Sequence, residues 1–137
     1  MTDTDCGANS TECTITCTDC PSSINCPTTP LCEECIVNCN AEDACRDGFI
    51  YGHSCDNVIV NCESDGKQAG EGATIYAPND LGNLTVSVIT GDNCFKAATI
   101  IAPENGGSID IKCGDTADND EWYVYCCMLY VVCFMLL

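Results

Sequence analysis

A short alternation of apolar and polar positions recurs five times: CTITC at Cys13–Cys17, CIVNC at Cys35–Cys39, VIVNC at Val58–Cys62, LTVSV at Leu84–Val88 and IDIKC at Ile109–Cys113. The copies begin 22, 23, 26 and 25 residues apart. A second apolar element keeps the same beat, as INCP from Ile24, IYGH from Ile50, IYAP from Ile75, IIAP from Ile100 and VYCC from Val124, at spacings of 26, 25, 25 and 24. Two elements locked in phase at this period predict a solenoid, in which each repeat is one coil that cannot bury its own apolar face alone.

The alternation also says which way each strand faces. The first, third and fifth positions of the first element are apolar or Cys, and those between are mostly Thr, Asn, Asp or Lys. Successive side chains of a strand point to opposite faces, so the first set is expected to line the core. Stacked coils bring equivalent residues to about 4.8 Å, the spacing of paired strands, and so build ladders along the interior. One inward ladder is expected to run Cys17, Cys39, Cys62, Val88, Cys113, where exchange of Cys for Val marks a small apolar site. Turn-forming Gly, Pro, Asn and Asp cluster between the elements, as in Pro27-Thr28-Thr29-Pro30 and Pro103-Glu104-Asn105-Gly106-Gly107. No stretch has the length and period of an amphipathic helix. The expected architecture is an all-β parallel β-helix of about five coils over residues 13–127. A polar lead at 1–12 precedes it and an apolar tail at 128–137 follows.

Cysteine content changes the picture most. Sixteen cysteines in 137 residues exceed the roughly 8–10% that marks a disulfide scaffold, and disulfides persist in oxidising compartments. The amino end has neither a basic stretch nor an apolar run of the secretory kind, so the chain reads as a fragment or mature segment of a secreted protein. Cys32 and Cys55 each stand three residues before the first element, and Cys20 and Cys45 four and five before the second. These two pairs are expected to be bridged between adjacent coils, with Cys94 placed next in the Cys20–Cys45 column after Gly70. Cys13 and Cys35, heading the first element in neighbouring coils, are further candidates. A rival reading takes Cys17-x-x-Cys20 and Cys32-x-x-Cys35 as a zinc-ribbon spacing. Interleaved cysteines and the repeat positions of both pairs favour disulfides.

Charge narrows the partners. Four Lys and Arg face 21 Asp and Glu, a net charge of −17, which excludes nucleic acid and anionic membrane surfaces. Divalent cations, sugars and basic partners remain. Asp115, Asp118, Asp120 and Glu121 form a weak calcium candidate, without the spacing or glycine of a known calcium loop. No other cofactor is implied. Asn9 and Asn83 begin glycosylation sequons, Asn-Ser-Thr and Asn-Leu-Thr. The single histidine, His53, sits in a corner and reads as a surface residue, and no catalytic constellation is apparent.

The segments GDNCFKAATIIAP at Gly91–Pro103 and ACRDGFI at Ala44–Ile50 resemble cysteine-rich right-handed parallel β-helix repeats of extracellular proteins of algae and other protists. The resemblance implies a right-handed coil and an extracellular setting. It departs from the pectate lyases of similar architecture, because no basic residue stands beside an acidic calcium site. The expected function is an extracellular structural protein, glycosylated and stacking end to end into a filament or coat. A glycan-binding module is the alternative, and ice binding is weaker because Thr14/Thr16 is the only regular threonine pair. An enzyme acting on polysaccharide comes third. Val124 is expected in register with Ile100. The tail Met128–Leu137 then becomes a docking strand, a truncated end or, least favoured, a membrane anchor.

Overall fold

The computed structural model describes residues 2–5, 11–18, 22–28, 32–53, 55–63, 69–79, 81–90, 94–102, 107–113 and 130–133. These form a β-solenoid of two sheets and, among the described residues, no helix. The first sheet has the order β1 (Thr2–Asp5), β2 (Glu12–Cys17), β4 (Glu34–Cys39), β6 (Asn57–Glu63), β8 (Asn83–Thr90) and β10 (Ile109–Cys113). The second contains β3 (Ser23–Asn25), β5 (Phe49–Tyr51), β7 (Thr74–Tyr76), β9 (Thr99–Ala102) and β11 (Tyr130–Cys133). All pairings are parallel except β1 with β2. The chain alternates between the sheets, so each strand pairs with its equivalent one coil away.

Register follows the repeat. In the first sheet Cys17 aligns with Cys39, Cys39 with Cys62, Cys62 with Val88 and Val88 with Cys113, the expected ladder. Cys17, Cys39 and Cys62 are fully buried and Val88 nearly so. In the second sheet Ile24, Ile50, Ile75 and Ile100 stack in one buried column. Burying one such side chain contributes about 1.5–3 kcal/mol, so a coil gains most of its stability from inward side chains of its two strands. Strands of the first sheet reach eight residues, longer than the short repeat suggested, whereas those of the second have three or four.

The corners between a first-sheet and a second-sheet strand turn by left-handed residues. Cys45, Gly70 and Phe95 each stand four residues before the paired Phe49, Thr74 and Thr99, and have φ of 59°, 69° and 54°. Two residues later Asp47, Gly72 and Ala97 repeat this with φ of 50°, 67° and 54°. Left-handed backbone is costly for most side chains, and it is retained here because the corner amides hydrogen-bond between coils. Gly70 N–H donates to Ala44 O, Phe95 N–H to Ala69 O and Gly72 N–H to Lys96 O.

The amino end adds a strand to the sheet, and one expectation about the carboxyl end is corrected. The polar lead contributes β1, which lies antiparallel on β2 with Thr2 opposite Cys17 and Asp5 opposite Thr14. The strand aligned with Ile100 centres on Val131, not Val124, so β11 comes from the segment read as tail. A run of β-branched and aromatic residues, Tyr130-Val131-Val132-Cys133, supplies strand propensity there, and a longer connection shifts the beat from 24 residues to 31. Val124 itself lies outside the described residues. No described helix is long and apolar enough to cross a membrane.

Candidate functional site

The second sheet turns a distinctive face outward. Its inward column is isoleucine, so Phe49, Tyr51 and Tyr76, one position to either side, point away from the core. Phe49 is 41% exposed, one of two large apolar side chains in that condition among the described residues. Tyr51 and Tyr76 are paired in register on adjacent coils, with ring centroids 4.8 Å apart and planes 15° from parallel. Phe49 lies 6.2 Å from Tyr51 along the strand at 18°, and His53 lies 5.7 Å from Tyr51 on its other side at 23°. Four rings across two coils thus form one stacked cluster, in which the faces of Tyr51 and Tyr76 cover each other and Phe49 is tilted 33° against Tyr76.

His53 was expected to be a surface residue without a partner. Instead it is half-buried, stacked on Tyr51, with Nε2 3.2 Å from Asn25 Oδ1 of the preceding coil. A left-handed φ of 51° swings the side chain back over the strand it follows. The signal for this surface was already in the sequence. IYGH and IYAP place tyrosine at the same outward position of successive coils, one residue after the inward isoleucine.

Charge is absent from the strands of this face. β3, β5, β7 and β9 read SIN, FIY, TIY and TIIA, without Asp, Glu, His, Lys or Arg. The first sheet differs, with Glu12, Glu34, Glu63, Asp110 and Lys112 in its strands. Its outer face is knitted by amide ladders: Asn61 Nδ2 donates to Asn38 Oδ1 at 3.0 Å, and Asn83 Nδ2 to Asn57 Oδ1 at 3.4 Å. Asn83 Oδ1 in turn accepts from Ser108 N–H at 3.0 Å and Ser108 Oγ at 2.9 Å. The sequon asparagine is therefore exposed, as expected, but both ends of its amide are engaged. Asn9 lies outside the described residues.

The cysteines form a disulfide frame that agrees with the expectation in part. Cys32–Cys55 bridges adjacent coils, with alpha carbons 4.6 Å apart. Cys20–Cys45 is overturned: Cys45 is bonded to Cys39 in its own coil, and Cys20 lies outside the described residues. Cys35 is bonded to Cys26, and Cys62 to Cys94. Cys13 and Cys17 are also in disulfides. At Cys17, Cys39 and Cys62 the inward ladder thus carries bonded sulfurs rather than free thiols acting as small apolar residues, and Cys39 meets its partner Cys45 because the end of its strand lies beside the following corner. Cys94 also falls in the column of Ala44 and Ala69, one residue before the position of Cys45 and Gly70. Of the four thiols in the zinc-ribbon spacing, Cys17, Cys32 and Cys35 are consumed by disulfides, which overturns that reading.

Asp115, Asp118, Asp120 and Glu121 lie outside the described residues. Among those described, no three His, Cys, Asp or Glu side chains come together as a metal-binding group. Arg46 is held by Asp43, with Nη1 2.8 Å from Oδ1, and that hydrogen bond raises the guanidinium pKa. No protein-family model matches the chain, and neither the curated proteins nor the solved structures contain a significant match to it.

Proposed function

We propose that the chain is an extracellular structural module, a rigid β-solenoid clamped by disulfides. The observation that carries this reading is the frame itself: Cys26–Cys35, Cys32–Cys55, Cys39–Cys45 and Cys62–Cys94 tie strand to corner and coil to coil at buried positions. Such bonds persist where the surroundings are oxidising. A loop of 23 residues closed by Cys32–Cys55 is worth a nominal 3 kcal/mol or so in chain entropy. A module of this kind suits a surface coat, where resistance to proteolysis and a fixed shape matter more than chemistry. An enzymatic role on polysaccharide has no support in any described cluster of side chains.

Filament growth through the amino-terminal edge is less favoured than the sequence suggested. That edge of β2 is already paired with β1, and any added strand would come from a chain of the same net charge, −17. The reading is tested on native, secreted material mapped without reduction and digested with and without reductant. Four bridged pairs and digestion that accelerates sharply on reduction support it. The same cysteines recovered as free thiols would overturn it. Electron microscopy of the oxidised protein separates discrete short rods, expected here, from filaments.

A further inference from the structure

We propose that two copies of the chain join through the open edge of β10, in an antiparallel pairing with its two-fold axis at Ile111. Backbone, core and charge each support this seam.

β10 is the last strand of the first sheet, and among the described residues it is paired on one side only, with β8. Leu84 N–H donates to Ser108 O across that pairing. Backbone groups of successive strand residues point to opposite sides, so Asp110 and Lys112 also turn theirs to β8. Ile109 and Ile111 turn theirs to the open side. An antiparallel copy centred on Ile111 takes up those groups: the two Ile111 residues exchange both hydrogen bonds, and Ile109 does the same with Cys113 of the second copy.

The core is also less covered at this strand. Leu84 and Val86, in register with Ile109 and Ile111, are fully buried, whereas the two isoleucines are only half-buried. Residues directly opposite in an antiparallel pair share a face, so each copy would extend the apolar layer of the other.

Charge sets the register. Asp110 and Lys112 are exposed, and the residues aligned with them on β8 are the neutral Thr85 and Ser87. About a two-fold axis at Ile111, Asp110 faces Lys112 of the second copy and Lys112 faces its Asp110. Both are non-hydrogen-bonded pairs, whose alpha carbons approach to about 4.5 Å. β10 thus carries one acid and one base, a neutral strand in a chain of net charge −17, and its pattern is complementary to itself when reversed. The strand at the other end of the sheet, β1, reads TDTD and would bring only acids together. Because one patch serves both copies, the contact closes on itself and yields a rod of two modules rather than a filament.

The test is sedimentation equilibrium of the intact, oxidised chain over a concentration series. Salt at about 0.15 M, with a Debye length of about 8 Å, damps the repulsion between two acidic bodies. A monomer–dimer equilibrium without larger species is expected. Lys112→Asp and Asp110→Lys each set like charges face to face at both pairs of the seam, and each should weaken the dimer about tenfold. Net charge alone would instead tighten the Asp110→Lys dimer, since that variant is the less acidic. Exchanging both residues, Asp110→Lys with Lys112→Asp, restores opposite pairs and should restore the parent affinity. An equimolar mixture of the two single variants should form mixed dimers for the same reason. Both side chains are exposed, so the disulfide map and melting temperature, measured alongside, should match the parent. A chain that stays monomeric up to its solubility limit would overturn the proposal, in favour of a segment of the same chain lying on that edge. Larger assemblies, single variants that pair as tightly as the parent, or a double exchange that fails to recover affinity would each overturn it as well.

Discussion

Cys62 and Cys94 are joined across 32 residues because each stands in a coil that lacks the other half of the pair found one coil earlier. In that earlier coil the strand-end Cys39 bonds to the corner Cys45. One coil on, Cys62 keeps the strand position, but the corner equivalent of Cys45 is Gly70. In the next coil the strand position is Val88, and the corner offers Cys94. Cys94 stacks above Ala69, whose carbonyl oxygen lies 3.4 Å from Cys62 Sγ, so the bridge spans the gap between coils. Replacing either cysteine by alanine should release one thiol to alkylation in the unfolded protein and lower stability by about 3–4 kcal/mol. Denaturant titration and thiol counting check both parts, and a variant as stable as the parent would contradict the assignment.

Gly70 and Phe95 occupy one column with complementary volumes. A Cβ built on Gly70 would stand against the Phe95 ring, and φ at Gly70 is +69°. Gly70→Ala should therefore cost about 2 kcal/mol or more, from strain and overpacking together. Phe95→Ala alone should cost about 3–5 kcal/mol through the cavity it leaves. In the double variant the clash is gone, so the sum of the single effects should overestimate the loss. Strict additivity in a double-mutant cycle would show that the two do not share space.

The ladder Asn57–Asn83–Ser108 predicts a further asymmetry. Asn83→Ala removes an acceptor used twice and a donor used once, and should cost about 1–2 kcal/mol. Thr85→Ala abolishes the same sequon without touching the ladder, and should change stability by much less. If glycosylation at Asn83 is what matters, the two variants made in a glycosylating host will instead behave alike, matching the unglycosylated parent and differing from the glycosylated one.

Self-repulsion gives a prediction about salt. Twenty-one acidic against four basic residues on a chain of this size disfavour the compact state at low ionic strength. Shortening the Debye length from about 30 Å at 0.01 M to about 3 Å at 1 M should raise the melting temperature by several degrees. An unchanged or falling melting temperature in neutral salt would mean that the carboxylates are already compensated.

Deletion of Met128–Leu137 should destabilise the solenoid rather than leave the coils intact, because it removes β11 from the Ile100 edge. Circular dichroism and melting of the shortened chain decide this.

The coil-to-coil register was legible in the sequence because it depends on one property, apolar side chains at every second position. Ile24, Ile50, Ile75 and Ile100 could be stacked from spacing alone, and so could Cys17, Cys39, Cys62 and Val88. Most of the disulfide partners were not legible. Repeat position identifies cysteines that stack, as in Cys32–Cys55, but Cys39–Cys45 joins two different positions of one coil, a proximity created by the left-handed corner. The placement of β11 was hidden for another reason: VYCC and YVVC have similar strand character, and local pattern does not say which one pairs with Ile100. The aromatic stack lay in plain view at Tyr51 and Tyr76, on the side of the strand that a search for core residues passes over.

The two bridges between coils also decide how the molecule answers to force. Tension applied at both ends would peel a solenoid one coil at a time, since each coil is held only by its neighbours. Cys32–Cys55 and Cys62–Cys94 take 23 and 32 residues out of the load path. At about 3.3–3.6 Å per extended residue, some 180–200 Å of contour length stays locked until a reductant acts. The oxidised middle of the molecule is a short, nearly inextensible link, and reduction turns it into a long, compliant one.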